Sequence, residues 1–167
     1  SAAMYLSKKN IPVTIFEKSS KSGQNRHGDY EGLENWIFNE NTPTFFNNIG
    51  FDFSKINLYP INEFYVHCEN KPHLEVKSKK PFFSLVKRGT SSGDFDNQLY
   101  QQCKRSGVEF RFNTPASDNC DIIATGTKKA SAFVRGSSFS TNLKDQVHLL
   151  LGEKFSPKGY AYLIICN

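Results

Sequence analysis

The first seventeen residues, SAAMYLSKKNIPVTIFE (1–17), predict a helix, a turn and a strand that ends on an acid. Small and apolar residues recur there with helical period, and the lysines at positions 8 and 9 suit the negative end of a helix dipole. Asn10 favours a left-handed stop, and Pro12 prevents the helix from continuing. The β-branched and aromatic run at 13–16 is typical of a buried strand, which Glu17 closes.

This opening fits the later half of a dinucleotide-binding βαβ unit. Such units place a glycine-rich turn before the helix and end the second strand in an acid that binds the ribose hydroxyls. Ala3, Leu6, Asn10, Val13 and Glu17 match that pattern in type and spacing. We therefore expect the first strand and the glycines to lie before this sequence. The alternative is an ordinary α/β protein in which Glu17 is an exposed acid at a strand end.

The remaining sequence predicts more strands than helices. The interval 19–41 is predicted as a polar loop with a short helix at 33–38. Further helices are predicted at 43–48, behind Thr42-Pro43, and at 94–105, capped by Asp94. The predicted strands are 63–68, 73–77 and 82–86 in an antiparallel sheet, then 108–112, a fully buried 120–124, 132–139, 146–151 and 160–166.

Composition excludes several classes of protein. The chain has 167 residues, of which 38% are hydrophobic, so it is too apolar for a disordered tail. Its sequence contains neither an 18-residue apolar run nor a signal-peptide pattern, which favours a cytoplasmic protein. The net charge of +5 is scattered, so nucleic acid is not an expected partner. The four cysteines have no zinc-like spacing, and we expect reduced thiols and no metal.

Several weak motifs occur in a fixed order: Lys87-Arg88-Gly89, the helix 94–105, Gly107-Val108-Glu109 and the run 121–126 that ends in Ala-Thr-Gly. Together with the segments 27–36 and 157–163, this order resembles the flavoprotein monooxygenase and geranylgeranyl reductase superfamily. The resemblance implies an α/β fold, an incomplete Rossmann-like FAD-binding domain with an inserted, mostly antiparallel sheet. Its expected parts are 1–55 and 91–130 for FAD binding, with 56–90 and 131–167 for the substrate sheet.

The resemblance also implies a cofactor and a reaction. FAD is the implied cofactor, NADPH a candidate donor, and the implied reaction delivers hydride from reduced flavin to an alkene, as in a polyprenyl chain. The nearest alternative is monooxygenation of an aromatic compound. The alternative from another class is a binding module that holds no FAD. Because the phosphate-binding glycines and a later closing segment are missing from this sequence, we expect weak FAD binding or none from the chain itself.

The candidate cofactor-binding residues follow from the matched motifs. Glu17 would bind the ribose, with Lys18 beside it, and Arg88 would neutralise phosphate or hold the flavin edge. Thr125 and Gly126 would approach the cofactor through their backbone. The alternative for Arg88 is an ordinary surface cation, and the alternative for Thr125 and Gly126 is an ordinary turn after a strand. The weaker candidates are Arg26 and His27 facing the flavin, Glu31, Glu34, Asn35 and Trp36 lining its pocket, and Tyr160 and Tyr162 flanking an isoprenoid tunnel.

The residues themselves predict no catalytic acid–base pair or nucleophile, as in enzymes whose cofactor carries the chemistry. The predicted sheet lacks its first strand and so exposes a long edge. We expect this edge to promote self-association. An isoprenoid substrate also makes peripheral membrane contact an expectation.

Overall fold

The computed structural model describes residues 1–26, 28–34, 40–126 and 134–166. The chain divides into two compact units: unit 1 comprises 1–29, 43–57 and 87–138, and unit 2 comprises 30–42, 58–86 and 139–167. The described elements are α1 (Ala2–Lys8), β1 (Thr14–Phe16), β2 (Tyr30–Glu34), α2 (Thr42–Asn48), a 3₁₀ turn (Phe53–Lys55), β3 (Leu58–Ile61), β4 (Glu63–Cys68), β5 (Leu74–Lys77), β6 (Phe83–Lys87), α3 (Phe95–Arg105), β7 (Glu109–Arg111), β8 (Gln146–Leu151) and β9 (Tyr160–Ile165).

Unit 1 contains a two-stranded parallel sheet, in which β1 pairs with β7 so that Phe16 lies opposite Arg111. Asn10 ends the turn after α1 with a φ of +60°, as predicted. Helix α1 contacts α3. The core is aromatic: Phe51 is 1% exposed and meets Phe53 and Phe95 edge to face, with ring centroids 5.1 and 5.6 Å away. Such ring pairs stabilise the core beyond the area that they bury.

Unit 2 carries two sheets, with strand orders β2-β6-β3 and β5-β4-β8-β9. The β3–β6, β4–β5 and β8–β9 pairs are antiparallel, whereas β4 and β8 run parallel with Tyr65 opposite His148. The predicted mixture of helices with parallel and antiparallel strands is therefore confirmed. Among the described residues, no helix has the length and apolar character that crossing a membrane requires.

Several predictions differ from the structure. The strand at 82–86 does not join 63–68 and 73–77 in one antiparallel sheet, because β6 pairs with β3 in the other sheet, whereas β4 pairs with β5. The run 120–124 is not a fully buried strand: it is irregular, and Ile122 and Ile123 are 60% and 56% exposed. The prediction of a short helix at 33–38 is wrong at its start, because Leu33 and Glu34 are the last residues of β2. The rest of that range lies outside the described residues. The prediction of a strand at 132–139 is wrong over 134–139, where the chain is exposed and irregular. An apolar or β-branched run becomes a strand only where a neighbouring strand accepts its hydrogen bonds.

Candidate functional site

Glu17 lies at the carboxyl end of β1 and is half-buried. Its N–H donates to the Arg111 carbonyl at 3.0 Å and its own carbonyl accepts from Thr114 at 3.0 Å, which extends the parallel pairing past β1. The side-chain Oε1 accepts from the Ser19 N–H at 2.8 Å. Lys18 follows and is exposed. The predicted acid therefore stands at the sheet edge where ligands of parallel sheets bind.

The loop that follows β1 packs against the turn before α3. The Arg88 N–H donates to the Asp29 carbonyl at 2.8 Å, and Ser22 Oγ donates to the Asp96 carbonyl at 3.5 Å. Gly23, with a φ of +74°, comes so near that an added Cβ would lie 2.7 Å from both Asp96 Cβ and the Gly89 carbonyl oxygen. Only a residue without a side chain fits this approach.

The Arg88 side chain is held by a carboxylate inside the protein. Its Nε and Nη2 donate to Asp96 at 2.8 and 2.7 Å, and the two side chains are 17% and 13% exposed. The Gly89 N–H donates to the same carboxylate at 3.0 Å. Burial acts to raise the pKa of Asp96, but the Arg88 hydrogen bonds and charge outweigh it and hold this pKa below its ordinary value. The bidentate pair orders the start of α3.

Arg26 lies on the surface of the same loop and forms an exposed ion pair with Asp29, at 3.3 Å from Nη1 to Oδ2. Its charge also contributes to the lowered pKa of Asp96. Asp29 joins Arg26 to Arg88, because its carboxylate pairs with Arg26 and its carbonyl accepts from the Arg88 N–H. Together with Asp96, these residues form one cluster. Asp94 precedes α3 as predicted, yet its carboxylate accepts from the Ser91 N–H at 2.9 Å rather than from the helix.

The other candidates lie elsewhere in the chain. Thr125 and Gly126 are exposed in the irregular segment, and a Cβ added at Gly126 would meet nothing within 4 Å. In unit 2, Glu31 and Glu34 lie on β2, whereas Tyr160 and Tyr162 are 61% and 50% exposed on β9. The candidates His27, Asn35 and Trp36 lie outside the described residues.

Sequence reasoning did not single out Asp96 as a member of the cluster. The sequence does contain a signal for this pair. Asp96 lies in the first turn of a helix, eight positions after Arg88, and a tight turn between the two brings the carboxylate back to the guanidinium. Gly23 carried a weaker signal as one of several glycines in a polar loop. Its required closeness to Asp96 is a tertiary property.

Glu17, which is not one of the cluster residues, is the point at which the predicted site residues fit an adenine dinucleotide. Within the described residues Glu17 Oε2 makes no hydrogen bond, so this oxygen is available to a ribose hydroxyl. Arg88 fits less well, because its Nε and Nη2 already contact Asp96. The role that its surroundings favour is to position the loop and the helix start.

Comparisons with known proteins find neither a matching family model nor a matching curated protein. Solved structures similar to this chain include 2-methyl-3-hydroxypyridine-5-carboxylic acid oxygenase, in a mutant form (18% identity, TM-score 0.47) and a tetrameric form (16%, 0.48). Another is a geranylgeranyl bacteriochlorophyll reductase-like protein from Thermoplasma acidophilum (19%, 0.48). The matches cover 67%, 67% and 69% of this chain, which spans 28%, 28% and 27% of theirs.

Proposed function

We propose that this chain is part of an FAD-dependent oxidoreductase in which Glu17 binds the adenosine ribose. The observation that carries the proposal is the position of Glu17 at the carboxyl end of β1, beside the parallel strand β7. Ligands of open α/β sheets bind at this edge, and an acid there suits ribose hydroxyls. The motif order that resembles the flavoprotein monooxygenase and geranylgeranyl reductase superfamily supports FAD as the dinucleotide.

Bound FAD would supply the hydride chemistry, so the residues of the chain have to bind and orient it. Glu17 would accept hydrogen bonds from the ribose. Arg88 would act as a positioning residue through Asp96, while Lys18 and Arg26 are exposed cations on the chain that follows Glu17. Thr125 and Gly126 remain predictions for backbone contacts. The reaction that the resemblance implies is the reduction of an alkene in a polyprenyl substrate, and monooxygenation of an aromatic compound is the alternative.

The test is a titration of the full-length protein that contains this chain with FAD, ADP and riboflavin, in which binding is measured by flavin fluorescence and calorimetry. Replacing Glu17 by Gln removes a charged acceptor for the ribose hydroxyls. We expect the E17Q variant to bind FAD and ADP more weakly by about 1–3 kcal/mol, or roughly 5- to 150-fold in Kd. Riboflavin has no adenosine ribose, so its binding should not change.

Glu109→Gln is the matched control, since Glu109 lies on the partner strand β7, opposite Thr14, and is exposed. The control should bind FAD as the unchanged protein does. Equal losses in both variants, or an unchanged ADP affinity in E17Q, would remove Glu17 from the site.

A second candidate function is a binding module that holds no FAD. Two observations favour it: the Arg88 guanidinium is already bound to Asp96, and Gly126 is exposed, with no atom of the described residues within 4 Å of a Cβ added there. This candidate predicts a colourless protein that takes up no FAD in the same titration. A yellow protein with flavin in proportion to the chain would exclude it.

A further inference from the structure

One face of the sheet β5-β4-β8-β9 carries a cluster of rings that the proposed function does not use. Tyr65 and His148 lie opposite each other on the parallel strands β4 and β8 and stack, with ring centroids 5.0 Å apart and planes at 20°. The ring centroid of His67 lies 5.1 Å from that of His148 on β8 and 5.6 Å from that of His73, the residue before β5. His67 and His148 are half-buried, whereas His73 is exposed.

A chain of hydrogen bonds joins the two half-buried imidazoles. His67 Nε2 lies 2.8 Å from His148 Nδ1, and His148 Nε2 lies 2.7 Å from Gln146 Oε1. The Gln146 amide is oriented by its own Nε2, which donates to the Lys144 carbonyl at 3.1 Å. Its Oε1 can only accept, so His148 Nε2 has to carry a hydrogen. In neutral His148 the Nδ1 atom is then an acceptor, and His67 Nε2 is the donor.

This arrangement tolerates one added proton on the pair but not two, because a ring can accept a hydrogen bond only while it is neutral. If both rings are protonated, the Nδ1–H of His148 faces the Nε2–H of His67, and two donors cannot bond to each other. Within the described residues no group of three His, Cys, Asp or Glu side chains is arranged to hold a metal ion, so a metal does not account for the cluster.

We propose that the chain His67–His148–Gln146 is a pH-sensitive link between β4 and β8, which is closed while at least one of the two imidazoles is neutral and opens when His148 is protonated together with His67. Parallel strands join segments that are distant in sequence, and here the link spans 81 positions. Opening it would weaken the pairing that brings β8 and β9 to the rest of the sheet.

The charged neighbours of the link favour this behaviour. Burial, and then the charges of His67 and His73, lower the pKa of His148. The other titratable groups on this face pair among themselves: Tyr65 donates to Glu63 at 2.8 Å, and Lys77 bridges Glu63 and Glu75 at 3.3 and 2.8 Å. On β9 the residue opposite His148 is Leu163. No acid in the described contacts of His148 therefore compensates a second positive charge.

The sign of the pH effect follows from linkage. A histidine whose pKa is lowered by folding binds fewer protons in the folded than in the unfolded state. The folded state should therefore lose stability as the pH falls below about 6.5. The folding equilibrium constant should drop about tenfold for each unit by which folding lowers the pKa. Below the folded pKa the loss from this group levels off.

The first measurement is long-range ¹H–¹⁵N NMR of the imidazoles in the full, unmutated chain. At pH 7.5 we expect His148 to be neutral and protonated on Nε2, with an unprotonated, hydrogen-bonded Nδ1. A His148 ring protonated on Nδ1 at this pH would overturn the proposal. This measurement needs no variant, so it decides the matter even if a substituted chain does not fold.

The second measurement is urea unfolding between pH 7.5 and 5. His148→Gln keeps one donor and one acceptor but does not titrate, and its stability should fall less with pH than that of the unchanged chain. His73→Gln is the control, because His73 is exposed and outside the hydrogen-bonded chain, and this variant should keep most of the pH dependence. An H148Q chain with the same pH dependence as the unchanged chain would contradict the proposal.

Discussion

Asp96 is 13% exposed and Arg88 17%, so removing one charge leaves the other without its bidentate partner in a poorly hydrated place. Breaking a buried pair in this way costs about 3–5 kcal/mol. Because some water still reaches both groups, we expect Asp96→Asn to lower the free energy of unfolding by about 3 kcal/mol. Urea unfolding at neutral pH measures this loss.

Asp29→Asn is the matched control at the same cluster. The Asp29–Arg26 pair is 48% and 43% exposed, and exposed pairs contribute at most about 1 kcal/mol. A D29N loss as large as that of D96N would show that the cluster, rather than the buried pair, carries the stability.

The pair also predicts a dependence on acid. The pKa of Asp96 lies below its ordinary value of 3.8 in the folded chain, so the unfolded state binds more protons once the pH falls to that value. The contribution of Asp96 is therefore present above about pH 4 and is lost as the pH falls further. We expect the difference in stability between the unchanged chain and D96N to shrink between pH 5 and pH 2, measured by urea titration. A constant difference would contradict the assignment.

Glu17 and Arg88 differ in how much of their surroundings the sequence predicts. The helix–turn–strand pattern placed Glu17 at a strand end from local signals alone, and the structure has it there. The surroundings of Arg88 are not predictable in the same way, because they depend on contacts with Ser22 and Asp29, which are distant in sequence. The local sequence pattern therefore predicts where along an element an ionisable residue lies, whereas burial determines its pKa and its role.

Among the elements, the loop after β1 and the turn before α3 meet at Gly23. An alanine there would have to keep a φ of +74° and would also place its Cβ 2.7 Å from Asp96 Cβ. Gly107, with a φ of +88° and nothing within 4 Å of an added Cβ, shares the backbone strain but has open space. We expect Gly107→Ala to cost about 1–2 kcal/mol and Gly23→Ala measurably more, by thermal or urea unfolding. Equal costs would mean that the loop moves aside without penalty.

The elements differ in how well local sequence predicts them. Helix α3 has a periodic apolar stripe and basic residues in its last turn, and it forms at almost the predicted bounds. The run 120–124 is as apolar as a buried strand but stays irregular, because pairing and cover come from distant segments. Strand β3 was not predicted, since Pro60 argues against a strand interior; its antiparallel partner is β6.

At the scale of the molecule, several large apolar side chains are exposed in the described residues after β7 that form neither helix nor strand, 112–126 and 134–145, called here the irregular segment. Their exposed fractions lie between 55% and 80%, for Ile122, Ile123, Val134, Phe139 and Leu143. Exposed apolar groups favour association, because each contact removes them from water. A second copy of the chain is the partner that this reasoning predicts.

We expect the apparent mass in light scattering to rise with protein concentration, and the double variant Ile122→Ser and Ile123→Ser to reduce that rise. Leu74→Ser is the control, because Leu74 is 62% exposed but lies on β5 in unit 2. If association depended on total exposed apolar area, the control would reduce the rise by about half as much as the double variant. If it depends on the irregular segment, the control should leave the rise unchanged. A mass that is constant with concentration in the unchanged chain would contradict both explanations.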